Sequence, residues 1–319
     1  MPAGLSIFKT KGDISMLDFL KEEGVAPAVI EGIAAFRAEH PLPDGMAERV
    51  PDPKYRYYGR EVWNQAATVL LCGENLLLAG PKATGKNVLA ENLARAFGRP
   101  CWDVSFHINM DASYLIGSDT FNGEKVVFGP GPIYQCARYG GFGVLDEINM
   151  AKNEALAVLH ATLDYRRSID VPGYDLIRVD PAARFIGTMN YGYAGTRELN
   201  EALVSRFAVL DLPLISEEDM NKLLRHHFPR ISPRYTGQFV QLFYDLHKKA
   251  DSAEISARAV DLRGLLDALR LMEKGLDAAH ALDLCITNKT FDPYEQTLIR
   301  DVIAARIPKN LDRAKVFPG

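Results

Sequence analysis

The chain has 319 residues, of which 47% are hydrophobic and 24% are charged, an ordinary composition for a soluble globular protein. A formal net charge of -4 gives no reason to expect nucleic acid as the main partner, and no apolar run approaches the roughly 18 residues that cross a bilayer. Four cysteines stand far apart without a C-x-x-C pair, which indicates reduced thiols. We therefore expect a cytoplasmic protein without membrane insertion, built from about two domains.

Residues 1–53 carry the weakest pattern. Short amphipathic helices are predicted over 16–22 and 26–40, with Pro27 at or near the start of the second. Four prolines then interrupt any regular element: Pro41, Pro43, Pro51 and Pro53. We expect a small N-terminal extension that packs on the main domain and has no assigned chemistry.

The most informative stretch follows a helix predicted over 61–72. A buried strand over 76–79 leads into a glycine-bounded loop and a helix over 86–97. The spacing fits the phosphate-binding pattern G-x-x-x-x-G-K-[ST], with Asn87 in the Ser/Thr position. Curled glycine backbone and a helix N-terminus present N–H groups to a phosphate, and a lysine adds positive charge. The predicted nucleotide-contacting residues are Gly80, Pro81, Lys82, Ala83, Thr84, Gly85, Lys86, Asn87 and Val88.

Strands and helices alternate through the rest of the first domain. Strands are predicted over 101–106, 143–145, 185–188 and 208–212, helices over 133–139 and 153–166, and hairpins around Asn122-Gly123 and Pro172-Gly173. This alternation predicts a parallel sheet that is covered on both faces. After residue 214 the chain carries only helical periodicity, so we expect an α/β domain over 54–214 and an all-α domain over 215–319.

Polar side chains end two of these strands. Asp146 and Glu147 follow an apolar strand, where Asp146 suits magnesium and Glu147 suits polarising the attacking water of a hydrolysis. Helix capping is the alternative role for this acidic pair. Asn190 ends the next strand, where a neutral amide can hold water or touch a terminal phosphate, or simply occupy a turn.

Two arginines precede the last strand of the sheet. Arg206 lies in Ser205-Arg206-Phe207, and Arg197 lies nine residues earlier. Either could reach the terminal phosphate on a neighbouring subunit and stabilise transition-state charge, and either could instead form a surface salt bridge of little energetic value. The residues alone leave this choice open.

Together these motifs resemble the AAA+ ATPases, and most of all their MoxR-type, dynein-related branch. The resemblance covers about residues 55–275 and includes Asp146-Glu147-Ile148-Asn149-Met150, Gly187-Thr188-Met189-Asn190 and Ile255-Ser256-Ala257-Arg258-Ala259. It implies a P-loop NTPase three-layer sandwich with a central parallel five-stranded sheet, followed by an all-α lid domain. It also implies that Lys86 is the Walker A lysine, Asp146 and Glu147 the Walker B pair, Asn190 sensor 1, Arg206 the arginine finger and Arg258 the sensor 2 arginine.

The same resemblance implies ATP and Mg²⁺ as cofactors. It further implies a homo-oligomeric ring, usually of six subunits, that remodels a partner, often a von Willebrand factor A-domain protein. Asn87 departs from the pattern, because an amide oxygen would replace the hydroxyl that normally binds magnesium, so metal affinity or hydrolysis rate is expected to fall. The favoured function is a magnesium-dependent ATPase. A nucleotide-gated assembly module and a nucleic-acid-stimulated motor or restriction-system subunit are the alternatives.

Overall fold

A computed structural model describes residues 15–171, 173–191, 198–308 and 311–318. The strands are β1 (Asn75–Gly80), β2 (Cys101–Ser105), β3 (Gly117–Phe121), β4 (Val126–Pro130), β5 (Phe142–Asp146), β6 (Ser168–Ile169), β7 (Ile177–Arg178), β8 (Arg184–Asn190) and β9 (Phe207–Asp211).

The α-helices are α1 (Met16–Glu22), α2 (Pro27–Glu39), α3 (Arg60–Leu71), α4 (Lys86–Phe97), α5 (Ala112–Ile116), α6 (Pro132–Tyr139), α7 (Asn153–Leu156), α8 (His160–Leu163), α9 (Glu201–Val204), α10 (Glu217–His227), α11 (Pro233–Asp251), α12 (Leu262–Glu273), α13 (Ala278–Cys285), α14 (Pro293–Arg306) and α15 (Arg313–Val316). The predicted alternation of strands and helices, followed by helices alone, is confirmed.

A five-stranded sheet forms the centre of the α/β region. Its order is β2-β5-β8-β1-β9, and β2 pairs with β5, β5 with β8, and β1 with β9 in parallel. All six residues of β1 are buried, as expected of a strand covered on both faces. The predicted P-loop-type parallel five-stranded sheet is confirmed.

Two antiparallel hairpins leave this sheet region. In the first, β3 pairs with β4, and the Asn122 side chain accepts hydrogen bonds from the N–H groups of Glu124 and Lys125. Gly123 has a φ of 99°, which only glycine adopts without strain. In the second hairpin β6 pairs with β7 over two residues each. Pro172, on which part of the second prediction falls, lies outside the described residues.

The helix predicted over 153–166 differs from the structure. It is divided into α7, a 3₁₀ turn over Ala157–Leu159, and α8, which ends at Leu163. Asp164 has an extended backbone, and its carboxylate accepts a hydrogen bond from the N–H of Arg166. Local side-chain bonding of this kind competes with helix continuation.

The chain divides into two compact units, and the first contains the described residues of 1–79 and 87–211. Its core includes fully buried Trp63, Phe97, Phe142 and Phe185. The rings of Phe36 in α2 and Phe97 in α4 pack 5.0 Å apart, so the N-terminal helices belong to this core.

Arg99 also ties the N-terminal residues to the first unit. Its guanidinium donates to the carbonyls of His40, Pro41, Tyr139 and Gly140 at 2.7–3.0 Å, with 2% of the residue exposed. A single buried cation thus satisfies four carbonyl groups from two separate segments.

The second unit contains the loop Gly80–Lys86 and the described residues after Asp211. Five of its described α-helices begin with a side-chain cap, in which Ser216, Asp261, Asp277, Asp292 and Asp312 accept hydrogen bonds from first-turn N–H groups. Phe239 and Phe243 in α11 are buried, and Phe228 packs on Phe317 with ring centroids 6.0 Å apart.

The substitution Arg99→Ala is expected to lower the free energy of unfolding by about 3 kcal/mol, because it leaves buried carbonyls without a donor. Urea denaturation measures this loss. Arg60→Ala is the control, because that side chain is 60% exposed and forms a surface ion pair with its neighbour Glu61, so its effect should stay within about 0.5 kcal/mol. Equal effects of the two variants would contradict the role of Arg99.

Candidate nucleotide site

The loop after β1 curls around its own lysine. The Lys86 ammonium donates to the carbonyls of Gly80 (3.0 Å) and Pro81 (2.7 Å) and to Oγ1 of Thr84 (3.3 Å). Gly80 and Gly85 have φ angles of 148° and 83°, which favour glycine. A Cβ at Gly80 would also lie only 3.0 Å from the carbonyl oxygen of Leu212. The loop geometry therefore depends on the two glycines that define the motif.

The two carboxylates predicted to act together lie at the end of β5. Asp146 is the last residue of that strand, and Glu147 follows it with a left-handed backbone, at φ 53° and ψ 43°. The hydroxyl of Thr188, in the neighbouring strand β8, donates to Oδ1 of Asp146 at 2.6 Å. Oγ1 of Thr188 in turn accepts a hydrogen bond from the N–H of Glu147 at 3.0 Å.

Asn190 joins this group from the end of β8. Its Nδ2 donates to Oε1 of Glu147 at 3.0 Å. Asn149, which is 3% exposed, donates from its own amide to the carbonyl of Asn190 at 3.0 Å. Asp146, Glu147 and Asn190 are thus brought together in one hydrogen-bonded network.

The strand order relates the phosphate-type loop to this network. The loop leaves the carboxyl end of β1, and in the sheet β8 lies between β1 and β5. Ligands of open α/β sheets bind outside the carboxyl ends of the strands. The side chains of Asp146 and Asn190 therefore lie at the carboxyl ends of two adjacent strands of this sheet.

The donor chemistry at this edge fits magnesium held largely by a nucleotide. Asp146 offers a carboxylate, and Asn87, at the start of α4, is exposed and offers an amide oxygen. Mg²⁺ binds hard oxygen donors and usually takes only one or two from protein, with phosphates and water completing its shell. Among the described residues, no group of three or more His, Cys, Asp or Glu side chains could hold a metal by itself.

Arg206 lies against its own subunit. Its guanidinium donates to the carbonyls of His160 (3.3 Å) and Ala202 and forms an ion pair with Asp164 at 3.4 Å, leaving 22% of the side chain exposed. Arg166 binds the same carboxylate more closely, at 2.7 Å. Hydrogen bonds from Arg166 and then from Arg206 lower the pKa of Asp164 to about 2.

The sequence analysis also named Arg197 and Arg258 as candidate functional arginines. Arg197 lies outside the described residues. Arg258 is exposed in the second unit, in the segment before α12. Against the effect of burial, hydrogen bonds from Ser256 and Thr290, and then the charge of Arg258, lower the pKa of Glu295. Glu295 fixes that segment by accepting hydrogen bonds from the Ser256 N–H at 2.5 Å and the Thr290 hydroxyl at 2.6 Å.

The sequence analysis assigned no role to three residues that contact the predicted site residues: Thr188, Asn149 and Asp164. Thr188 is a β-branched residue in an apolar strand, so its pattern indicates only a core position. The motif Gly187-Thr188-Met189-Asn190 was a signal for the strand end, yet the hydroxyl's partners depend on the pairing of β8 with β5.

Comparison with known proteins identifies the family of this region. The family profile for the AAA domain (dynein-related subfamily) matches residues 75–207, which include the loop, both carboxylates, Asn190 and Arg206. The chain belongs to the dynein-related AAA family. Among the described residues of this AAA protein, no helix is both long and apolar enough to cross a membrane.

Bacterial relatives match most of the AAA protein's length. The uncharacterized protein YojN of Bacillus subtilis is 29% identical over 297 residues, which cover 92% of this chain and 97% of YojN. An uncharacterized protein of Staphylococcus haemolyticus is 32% identical over 248 residues, 76% of this chain and 94% of that one. A crystal structure from Cytophaga hutchinsonii, provisionally named an ATPase, covers 88% of each chain at 16% identity with a TM-score of 0.44.

The ion pairs of Asp164 give a pH dependence. Its folded pKa of about 2 lies below the ordinary value of 3.8, so its stabilising contribution is present above about pH 4 and is lost as pH falls towards 2. Asp164→Asn should therefore unfold more readily than wild type at pH 7, and the difference should shrink between pH 4 and pH 2. Denaturant melts at several pH values measure this. The exposed control Asp44→Asn should follow wild type throughout, and a pH-independent Asp164→Asn difference would contradict the assignment.

Proposed function

We propose that this chain is a magnesium-dependent ATPase of the MoxR-like AAA+ class. It hydrolyses ATP at the subunit interfaces of a ring and thereby remodels or activates a partner protein. The observation that carries the proposal is the network of Asp146, Glu147 and Asn190 beside the strand that leads into the Lys86 loop.

The reaction is an in-line displacement at the terminal phosphate. A water oxygen bonds to the γ-phosphorus, the bond from that phosphorus to the bridging oxygen breaks, and ADP leaves. Glu147 accepts a proton from the attacking water, and the Asn190 amide, which already donates to Glu147, holds that carboxylate and the water in line. Lys86 exchanges its carbonyl partners for phosphate oxygens, which carry full charge.

Bound magnesium would add positive charge at the phosphates, with Asp146 and Asn87 as the donors from this chain. The Asn87 amide is neutral and longer than the hydroxyl it replaces. We therefore expect a higher magnesium requirement than a loop with Ser or Thr at this position would have.

In a ring, a neighbouring subunit would supply further positive charge at the terminal phosphate. Arg206 of one subunit would reach the terminal phosphate bound by its neighbour, which requires it to leave Asp164. Its ion pair with Asp164 is the longer of the two on that carboxylate, 3.4 Å against 2.7 Å for Arg166. Arg166 can therefore keep Asp164 paired after Arg206 departs.

The hairpins provide the surface for a partner. Phe121 and Val126 face each other across the β3–β4 hairpin and are 69% and 61% exposed. The Tyr174 hydroxyl, from the loop of the β6–β7 hairpin, donates to Asp119 at 2.6 Å, and its ring packs on Phe128 at 5.0 Å. The two hairpins would thus move together against a protein partner, for which a von Willebrand factor A-domain protein is our candidate.

A nucleotide-gated assembly module is the second candidate. Asn87 in place of a hydroxyl residue, together with a Glu147 carboxylate that already has an amide partner, favours slow hydrolysis. In that case ATP binding would assemble the ring and turnover would stay negligible even with the partner present.

Steady-state ATP turnover tests the ATPase and its shared site. Turnover per subunit should rise with protein concentration. It should fall by about 10²–10⁴-fold in Glu147→Gln and by about 10³–10⁵-fold in Arg206→Ala, as expected for loss of a general base and of an arginine finger. Arg197→Ala and Arg166→Ala are the matched controls, and a greater loss in either of them would reassign the finger.

Mixing the two inactive variants sharpens this test. A Glu147→Gln subunit still carries Arg206, and an Arg206→Ala subunit still carries Glu147, so some interfaces of a mixed ring contain both groups. Mixing should therefore restore part of the turnover. If turnover stays absent in assembled mixed rings, or if Arg206→Ala alone remains fully active, the shared-interface mechanism is wrong.

A further inference from the structure

The Thr188 hydroxyl touches both carboxylate residues of the proposed site. Thr188 lies in the motif Gly187-Thr188-Met189-Asn190, in which only Asn190 has a role so far. It lies at the β8 end of the network and is 1% exposed. The register between β5 and β8 pairs Leu145 with Gly187, so Asp146 and Thr188 come next along their strands. Their side chains meet at 2.6 Å.

The chemistry of the partners fixes how this hydroxyl is oriented. The Glu147 N–H can only donate, so the Thr188 oxygen must accept from it. An ionised Asp146 can only accept, so the single hydroxyl hydrogen must point to its Oδ1. One oxygen atom therefore links the metal-side carboxylate to the backbone of the residue that acts on water.

The backbone of Glu147 depends on this link. A residue with a Cβ rarely adopts φ 53° and ψ 43°, and such positions persist only where surrounding contacts hold them. Thr188 satisfies the Glu147 N–H in that conformation, and the Glu147 side chain then reaches the Asn190 amide at 3.0 Å. Loss of the hydroxyl would remove this contact and free Asp146 to rotate.

We propose that Thr188 is a positioning residue of the ATPase site, which sets the orientation of both Asp146 and Glu147. The inference rests on the proposed function. The Lys86 loop keeps its own contacts with Gly80, Pro81 and Thr84, so nucleotide affinity without metal does not depend on Thr188.

Thr188→Val removes the hydroxyl and keeps the branched shape. The kcat should fall by about 10- to 100-fold, the kinetic equivalent of a lost hydrogen bond to a charged group, and the free Mg²⁺ needed for half-maximal turnover should rise. The KM for ATP at limiting Mg²⁺ should rise in parallel, because less of the affinity that Mg²⁺ provides is retained. Thr188→Ser keeps the hydroxyl and should restore most of these properties, which a purely structural role of the methyl group would not allow.

Thr162→Val is the matched control, because Thr162 is a buried threonine whose hydroxyl has no hydrogen-bond partner among the described residues. It should behave as wild type. Thermal melts check folding, and Thr188→Ala takes the place of the valine variant if the latter does not fold. A Thr188→Val enzyme with the kcat and Mg²⁺ dependence of Thr162→Val would overturn the proposal.

A binding measurement separates this inference from the ATPase proposal. Calorimetry with ATPγS, in Mg²⁺ and in EDTA, needs no turnover. Thr188→Val should lose affinity in Mg²⁺ and match wild type in EDTA. If wild type binds more tightly in Mg²⁺ but never hydrolyses ATP, the ATPase proposal fails. The calorimetric comparison of wild type with Thr188→Val still tests whether Thr188 positions the Mg²⁺-binding carboxylate. Equal Mg²⁺ effects in wild type and Thr188→Val would overturn the Thr188 inference.

Discussion

Parallel pairing of β5 with β8 is the constraint on which the site depends. It aligns two strand ends so that Asp146 meets Thr188 and Glu147 meets Asn190. Both strands are buried for most of their length, so the register is fixed by core packing before any ligand binds. Hydrogen bonds to the two carboxylates then hold the polar ends in one geometry. The hydrophobic core and the chemistry are therefore coupled through one strand pair.

Both cations of the proposed mechanism have oxygen partners within their own chain. Lys86 is bonded to the carbonyls of its loop, and Arg206 is bonded to two carbonyls and to Asp164. A phosphate carries more charge than a carbonyl, so exchange at Lys86 is electrostatically favourable. At Arg206 the exchange breaks the ion pair with Asp164, so new contacts with a neighbouring subunit must offset the lost interaction. Nucleotide binding at Lys86 thus replaces carbonyl partners, whereas ring assembly at Arg206 must also replace a carboxylate partner.

Much of this fold follows from local sequence. The apolar residues of β1, the glycines of the loop and the Asn122-Gly123 turn each specify their structure through short-range physics, and the structure agrees with all three. The helix break at Asp164 comes from a local hydrogen bond between its carboxylate and the Arg166 N–H, which the helical periodicity does not reveal. The other missed features depend on contacts between distant residues, and the role of Thr188 needs a partner 42 residues away. Arg206 is in the same class, because its contacts with His160 and Asp164 exist only after folding.

The account stands on binding of ATP by the Lys86 loop, and titration calorimetry of ATP in the presence of Mg²⁺ tests this most directly. The wild-type chain should release heat with a saturable isotherm. Lys86→Met, which keeps the length of the side chain and removes its charge, should abolish that isotherm, while Lys274→Met, at an exposed position, should leave it unchanged. No heat from a folded wild-type chain, or equal binding by folded Lys86→Met, would contradict the account.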